Sequence, residues 1–318
     1  MKIRIATRKS KLALWQAGHV SQKLELLDTV SGVELVSLST RGDEILDKSL
    51  QKIGGKGLFI KELEVAMRSG DADIAVHSMK DVPTWLPDGL EITCILPRED
   101  PRDALIGNAL SSLSDLPQGG RVGTASLRRR AQLLYLRPDL EITLLRGNVA
   151  TRVRKVTEGE IDATLLAVAG LKRLDCTEYI TAILSPEEML PAVAQGAIGV
   201  ECRANNGRIL TYLAALNDCK SAQRVAAERA LLAALDGSCR TPIAALAEIA
   251  AGERLYLRAL IARPDGKTIH RADREGRVAD GIAMGTRFLL TQESQIPLHV
   301  KETYLKTPVN GTVVTRAI

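Results

Sequence analysis

The chain has 318 residues, more than one core usually holds, so two or three domains with ample buried surface are expected. Aromatic residues make up only 3%, which makes the cores aliphatic, and 43 Lys and Arg against 38 Asp and Glu leave a net charge of only +5. That balance is too mild to announce a nucleic-acid coat, which leaves a nucleic-acid-binding protein as a weaker rival, and it is compatible with a local basic cleft.

In chain order, a strand over residues 3–6 is followed by a helix over 11–27, a strand over 33–39 and a helix over about 59–68. Leu12, Trp15, Val20, Leu24 and Leu27 give the first helix one apolar face. Strands over 74–77 and 90–96 complete a βαβ series, which predicts a parallel sheet with helices on both sides. Residues 98–107 read as a crossover. A second domain of the same class follows, with strands over 121–124, 141–145 and 163–168 and helices over 127–136 and 150–157. The glycine-punctuated run 192–203 reads as a strand able to return the chain to the first sheet, and two such crossings would form a hinge. Helices over 207–216 and 222–235 lead to the loop 236–242. Strands over 243–249 and 254–262, a hairpin turn at Pro264-Asp265-Gly266 and a helix over 279–290 then predict a small α+β third domain.

Candidate chemistry gathers at the ends of these strands. Asp81 closes the string DIAVHSMKDVP, residues 73–83, where an apolar strand delivers His77, Ser78, Lys80 and Asp81 before Pro83 stops it. A carboxylate beside an ammonium at a strand end can stay ionised and stabilise a nearby cation, although the same string also fits a solvated turn. Arginines recur where strands hand over to helices: Arg8, Arg128, Arg129, Arg130, Arg146, Arg152 and Arg173. Helix N-termini joined to guanidinium forks bind anions, and several facing one cleft imply a polyanionic ligand; the less favoured alternative for SLRRR, residues 126–130, is a solvated helix face. Nucleic acid is a poor match, since aromatic stacking residues are scarce. GGKGLF, residues 54–59, lacks the frame of a nucleotide-binding loop and reads as part of a basic lid.

The cysteines Cys94, Cys176, Cys202, Cys219 and Cys239 form no CxxC pair and no zinc-type spacing, which fits a reducing compartment and gives no metal site. Cys239 alone sits in a clear turn, beside Arg240, and its thiol is open to two accounts: a reactive thiolate or a small apolar filler. No apolar signal core follows Met1, and no stretch approaches membrane-spanning length.

Nine ordered strings, ATRKSKLALWQA, GGKGLFIKELE, DIAVHSMKDVP, REDPRDA, GTASLRRRAQ, LRGNVATR, LAVAGLKRL, LPAVAQGAIGVECR and DGSCRTPIA, together closely resemble the hydroxymethylbilane synthase (porphobilinogen deaminase) family and span residues 6–244. The resemblance implies two doubly wound, periplasmic-binding-protein-like (type II) α/β domains and a smaller α+β C-terminal domain. It divides them as 1–96 plus 197–216, 97–196, and 217–318, with no family pattern from about residue 291. It also implies that four porphobilinogen molecules are condensed head to tail, with loss of ammonia, to give hydroxymethylbilane on a dipyrromethane cofactor held by Cys239 through a thioether.

By the same resemblance, Asp81 stabilises the cations formed along the way. Arg8, Ser10, Ser78, Lys80, Thr124, Ser126, Arg128, Arg129, Arg146, Arg152, Arg173 and Gln195 bind cofactor and substrate, Lys56 and Phe59 belong to the lid, and Arg130 has no assigned role. The implied setting is a cytoplasmic monomer, or a plastid stromal one if a transit peptide is missing, that passes its product to uroporphyrinogen-III synthase and binds neither membrane nor nucleic acid. The rival class is a two-lobed solute-binding protein without enzymatic activity.

Overall fold

The computed structural model describes residues 1–40, 60–237 and 241–288. The first sheet contains β1 (Lys2–Arg8), β2 (Gly32–Leu38), β3 (Ile74–Ser78), β4 (Leu90–Ile95) and β10 (Ile198–Arg203) in the order β2-β1-β3-β10-β4. The second contains β5 (Asp103–Gly107), β6 (Arg121–Gly123), β7 (Glu141–Thr143), β8 (Ala163–Ala167) and β9 (Ala182–Ile183) in the order β7-β6-β8-β5-β9. The two orders are the same pattern. In each, three neighbouring strands run parallel, and the strand delivered directly by a crossover from the other sheet enters antiparallel: β10 against β3 and β4, and β5 against β8 and β9.

The expectation of purely parallel sheets is therefore corrected to mixed sheets. A strand that arrives from the opposite lobe, without a helix to turn it round, pairs in the reverse sense. The supposed crossover 98–107 likewise ends in β5, and the predicted strand over 192–203 shortens to β10, because Ala194 (φ 58°) and Gly196 (φ 88°) occupy left-handed backbone. Gly196 is required there. A Cβ on it would lie 2.3 Å from the carbonyl oxygen of Glu99 in the other connector, so the two crossing segments touch backbone to backbone.

Helix α1 (Lys11–Glu25) starts at Ser10, whose side chain accepts a hydrogen bond from the Ala13 amide. Its buried stripe is Ala13, Gln16, Ala17, Val20 and Leu24, so the predicted face is rotated and Trp15 stands outside it, 39% exposed. The stripe packs on Ile3, Ile5, Ile74, Val76, Ile198 and Val200. Helix α2 (Lys61–Ser69) covers the other face of the same sheet through Leu63, Ala66 and Met67.

In the second lobe, α3 (Leu127–Leu136), α4 (Val149–Thr157) and α5 (Val168–Arg173) follow β6, β7 and β8. The last was missed from sequence because the apolar run continues unbroken from strand into helix. Helix α6 (Gly207–Leu216) returns to the first core through Ile209 and Leu213.

Beyond it, α7 (Cys219–Ala234) packs on an antiparallel sheet of β11 (Ile243–Ala250), β12 (Arg254–Ala262) and β13 (Ile269–Arg277). The predicted final helix shortens to α8 (Gly281–Thr286) among the described residues. The β12–β13 turn docks on α3: a Cβ at Gly266 would meet Leu134 at 2.6 Å, a contact only glycine permits at φ 72°. The third sheet is thereby packed against the second lobe and, through Met79, Val82 and Ile95, against the first.

Candidate active site

The parallel strands of both sheets end toward one cleft of about 930 Å³, as ligand sites in open α/β sheets do. Arg8 ends β1 and Ser10 follows it, Ser78 ends β3 and Lys80 follows it, Arg146 and Arg152 follow β7, and Arg173 ends the helix after β8; all line the cleft. With Lys11, Arg129 and Lys155 they make eight cationic side chains, and no Asp or Glu is among the described lining residues. A smaller recess of about 60 Å³ shares Arg8, Ser10 and Ser78 with the cleft and adds Gln16, His77 and Asp81. One carboxylate thus stands at the edge of a cation-lined space.

Asp81 ends a single 3-10 turn, Met79–Asp81, pinned on both sides. The Met79 amide donates to the Ala197 carbonyl at 3.0 Å, and Arg229 of α7 donates to the carbonyls of Val82 and Pro83 at 2.9 and 2.6 Å. Asp81 itself accepts no hydrogen bond from the described residues and is partly exposed, so its oxygens remain available to a ligand. Ser78 exchanges hydrogen bonds with the buried Gln16 at 2.8 and 3.2 Å. His77 is turned into the sheet, with Nε2 2.7 Å from Glu201 Oε2, and belongs to no group of three or more potential metal ligands among the described residues.

The cations are held by neutral groups more than by acids. Burial lowers Lys80 to about 8 against the opposing pull of Asp81, with Arg129 adding to the fall; its Nζ donates to Gln195 Oε1 at 3.4 Å. Burial, reinforced by Arg129 and Arg146, lowers Arg152 to about 10, and burial does the same for Arg173. Arg152 donates to the Gly147 carbonyl at 2.9 Å, and Arg173 to the Gly196 carbonyl at 2.7 Å while lying 5.7 Å over the Trp15 ring. The exposed Trp15 thus finds its partner in the other lobe, a contact no helical periodicity reveals. Cations depressed in this way favour an anion that neutralises them together.

The arginines of SLRRR separate. Arg130 is exposed, as its lack of an assigned role implied. Arg128 and Arg129 are buried, each 2.7 Å from Asp103, and donate to the carbonyls of Leu190 and Leu165. Burial alone would raise the Asp103 carboxyl, but the two guanidinium groups outweigh it and hold it well below the usual carboxylate range. Arg129 still reaches the cleft lining, whereas Arg128 does not. Thr124 and Ser126 are spent locally: Ser126 caps α3 by accepting from the Arg129 amide, and Thr124 accepts from the Ser126 amide. Gln195 is buried and joins Lys80 to Asp103. Asp103 and Gln16 were not singled out from sequence, since nothing local marks a carboxylate or amide whose partners lie in other elements. Cys239, Lys56 and Phe59 lie outside the described residues, as does the tail from residue 291.

Eight cations around one cleft, with the first residues of α1 and α4 among its lining, suit a bulky ligand carrying several carboxylates. Two α/β lobes with a cation-lined cleft where their strands end are the class that fold and site define. Residues 3–211 match the family model described as porphobilinogen deaminase, dipyromethane cofactor binding domain, and residues 222–291 match its C-terminal domain. The chain belongs to the porphobilinogen deaminase family, transferases that condense four porphobilinogen molecules head to tail, releasing ammonia, into hydroxymethylbilane on a dipyrromethane cofactor.

Among solved structures, the chain is similar to the VFT2 domain of Bordetella pertussis BvgS, at 15% identity and TM-score 0.42 over 72% of this chain and 91% of that one. It is also similar to the Escherichia coli periplasmic aliphatic sulphonate binding protein SsuA, at 13% identity and TM-score 0.40 over 74% and 70%. The methionine binding protein MetQ follows at 14% identity and TM-score 0.42 over 70% and 92%. The fold is two α/β lobes, each built on a mixed five-stranded sheet, with a smaller α+β domain, and the family match favours the transferase over a solute-binding protein. No helix among the described residues is long and apolar enough to cross a membrane.

Proposed function

We propose that Asp81 is the catalytic carboxylate of this condensation, that Cys239 carries the cofactor, and that the cleft cations hold the carboxylate arms of the pyrroles. The carrying observation is the cleft itself: Asp81 at the edge of a space lined by eight cations and no other described acid. When bound, the dipyrromethane supplies the pyrrole terminus from which the chain is extended. Arg8, Arg129, Arg146, Arg152, Arg173 and Lys80 pair with acetate and propionate groups, offsetting a negative charge that rises with each pyrrole added. Arg128 contributes from behind, through Asp103, and Ser10, Ser78, Thr124, Ser126 and Gln195 orient these groups. Asp81 accepts pyrrole N–H groups and lowers the energy of the cationic centre left when ammonia departs from porphobilinogen, in a site partly shielded from water. Lys56 and Phe59 are proposed as lid residues.

The linear product cyclises if released, so direct consumption by uroporphyrinogen-III synthase is the fitting next step. A monomer working in the cytoplasm, or in a plastid stroma, completes the proposal.

Intact mass and turnover test it. Native protein should carry a covalent dipyrrole and convert porphobilinogen, whereas Cys239→Ser should lack the adduct. Asp81→Asn should keep the adduct and lose about 10²–10³-fold in turnover, the usual effect of removing one preorganised charge-stabilising group. Near-normal turnover by Asp81→Asn, or an adduct surviving in Cys239→Ser, would refute the assignment concerned.

A further inference from the structure

We propose that Asp103 is a positioning residue that fixes Arg129 and, through Gln195, the ammonium of Lys80 as one hydrogen-bonded unit spanning both walls of the cleft. This deepens the polyanion reading above and rests on it.

The geometry is a single chain of contacts. Asp103 opens β5 in the second lobe and is fully buried. Its Oδ1 accepts from Arg129 Nη2 at 2.7 Å and from Gln195 Nε2 at 2.8 Å, while Oδ2 lies 2.7 Å from Arg128 Nη1. The same Gln195 amide nitrogen also donates to the Pro101 carbonyl at 2.7 Å. Two acceptors on the nitrogen side fix which way the amide faces, and its oxygen is left for Lys80 Nζ at 3.4 Å. Lys80 belongs to the first lobe, Gln195 to the connector and Asp103 to the second lobe. The connector is itself constrained: Ala194, beside Gln195, holds a left-handed φ of 58°.

The charges support the same arrangement. One carboxylate between two guanidinium groups leaves one net positive charge, and Arg129, which lines the cleft, has its Nε buried without a hydrogen-bond partner. A ligand carboxylate therefore meets a fixed surplus of charge rather than a freely swinging arginine. The charged groups acting on Lys80 are Asp81, Arg129, Asp103 and Arg128, of which the two acids favour its protonated form and the two arginines oppose it. Removing the Asp103 charge strengthens the opposing arginines and also frees the Gln195 amide to turn. Both changes disfavour the ammonium on the far wall.

The test is the titration of Lys80 in holoenzyme carrying ¹³Cε-labelled lysine, followed by NMR, with the resonance assigned through Lys80→Arg. In Asp103→Asn the midpoint should fall by about one pH unit, as expected for loss of a nearby opposite charge. Asp103→Glu should largely restore it. Gln195→Leu should lower it in the same direction while leaving the ion pairs of Asp103 in place, and it decides the matter alone if Asp103→Asn does not fold. A Lys80 midpoint unmoved in the folded variants overturns the inference, and a shift in Asp103→Asn without one in Gln195→Leu overturns the route through Gln195. The parent reading fails separately, by absence of a pyrrole adduct or of porphobilinogen turnover in the unaltered protein.

Discussion

Glu228→Gln should be among the most damaging single-atom changes in this chain. Glu228 on α7 is fully buried and pairs with Arg98 in the connector between the first two lobes, at 2.6 Å, with the Arg98 side chain 1% exposed. Oε1 accepts from Arg98 Nη1 and the Ala247 amide, at 2.6 and 2.8 Å. Oε2 accepts from Arg98 Nη2 at 3.2 Å and the Ala194 amide at 2.6 Å. One carboxylate therefore ties both connectors and β11 to α7, and Arg98 Nε adds a bond to the Gln195 carbonyl at 2.8 Å. Glutamine removes the charge, stranding a buried guanidinium, and turns one acceptor into a donor that faces other N–H groups.

Stranding one partner of a buried pair costs about 3–5 kcal/mol. At roughly 2–4 °C per kcal/mol for a large domain, melting should fall by about 10 °C, read by circular dichroism and calorimetry. A matched apolar pair, Arg98→Met with Glu228→Met, should recover much of the loss, because no charge is then left unpaired. A Glu228→Gln melt within about 2 °C of the parent would refute the reasoning, since that is below the cost of one orphaned charge.

Gly196→Ala should destabilise by at least the roughly 1–3 kcal/mol of a left-handed non-glycine residue, because its Cβ would also strike the Glu99 carbonyl; a melt equal to the parent would mean that the connectors part easily. Affinity of cofactor-free protein for a polycarboxylate such as mellitate should weaken as pH rises through about 8, where Lys80 loses its proton. Titration calorimetry at about pH 7 and pH 9.5 checks this, and Lys80→Gln should flatten the dependence; equal affinity at both values in the parent would exclude Lys80 from the anion site. The sign for stability is opposite. The fold lowers Lys80 from 10.5 to about 8, so the folded chain binds fewer protons than the unfolded one in that window, and this contribution to stability rises with pH across it.

Local pattern was enough for much of this protein. The helices α3 and α6 and the strand β12 fall at the bounds that their periodicity predicts, because apolar spacing within ten residues decides them. The strand-end placement of Arg8, Lys80, Asp81, Arg146 and Arg152 was equally legible, since strand exits in α/β sheets meet at one edge, and nine ordered strings carried the family. What only the tertiary structure decided depends on partners far apart in sequence. The antiparallel sense of β5 and β10 follows from which lobe each crossover leaves, the outward turn of Trp15 from its contact with Arg173 of the other lobe, and the division of labour within SLRRR from Asp103, 26 residues before Arg129 and 92 before Gln195. A buried charge is defined by what surrounds it, and its surroundings exist only once the elements of both lobes have packed together.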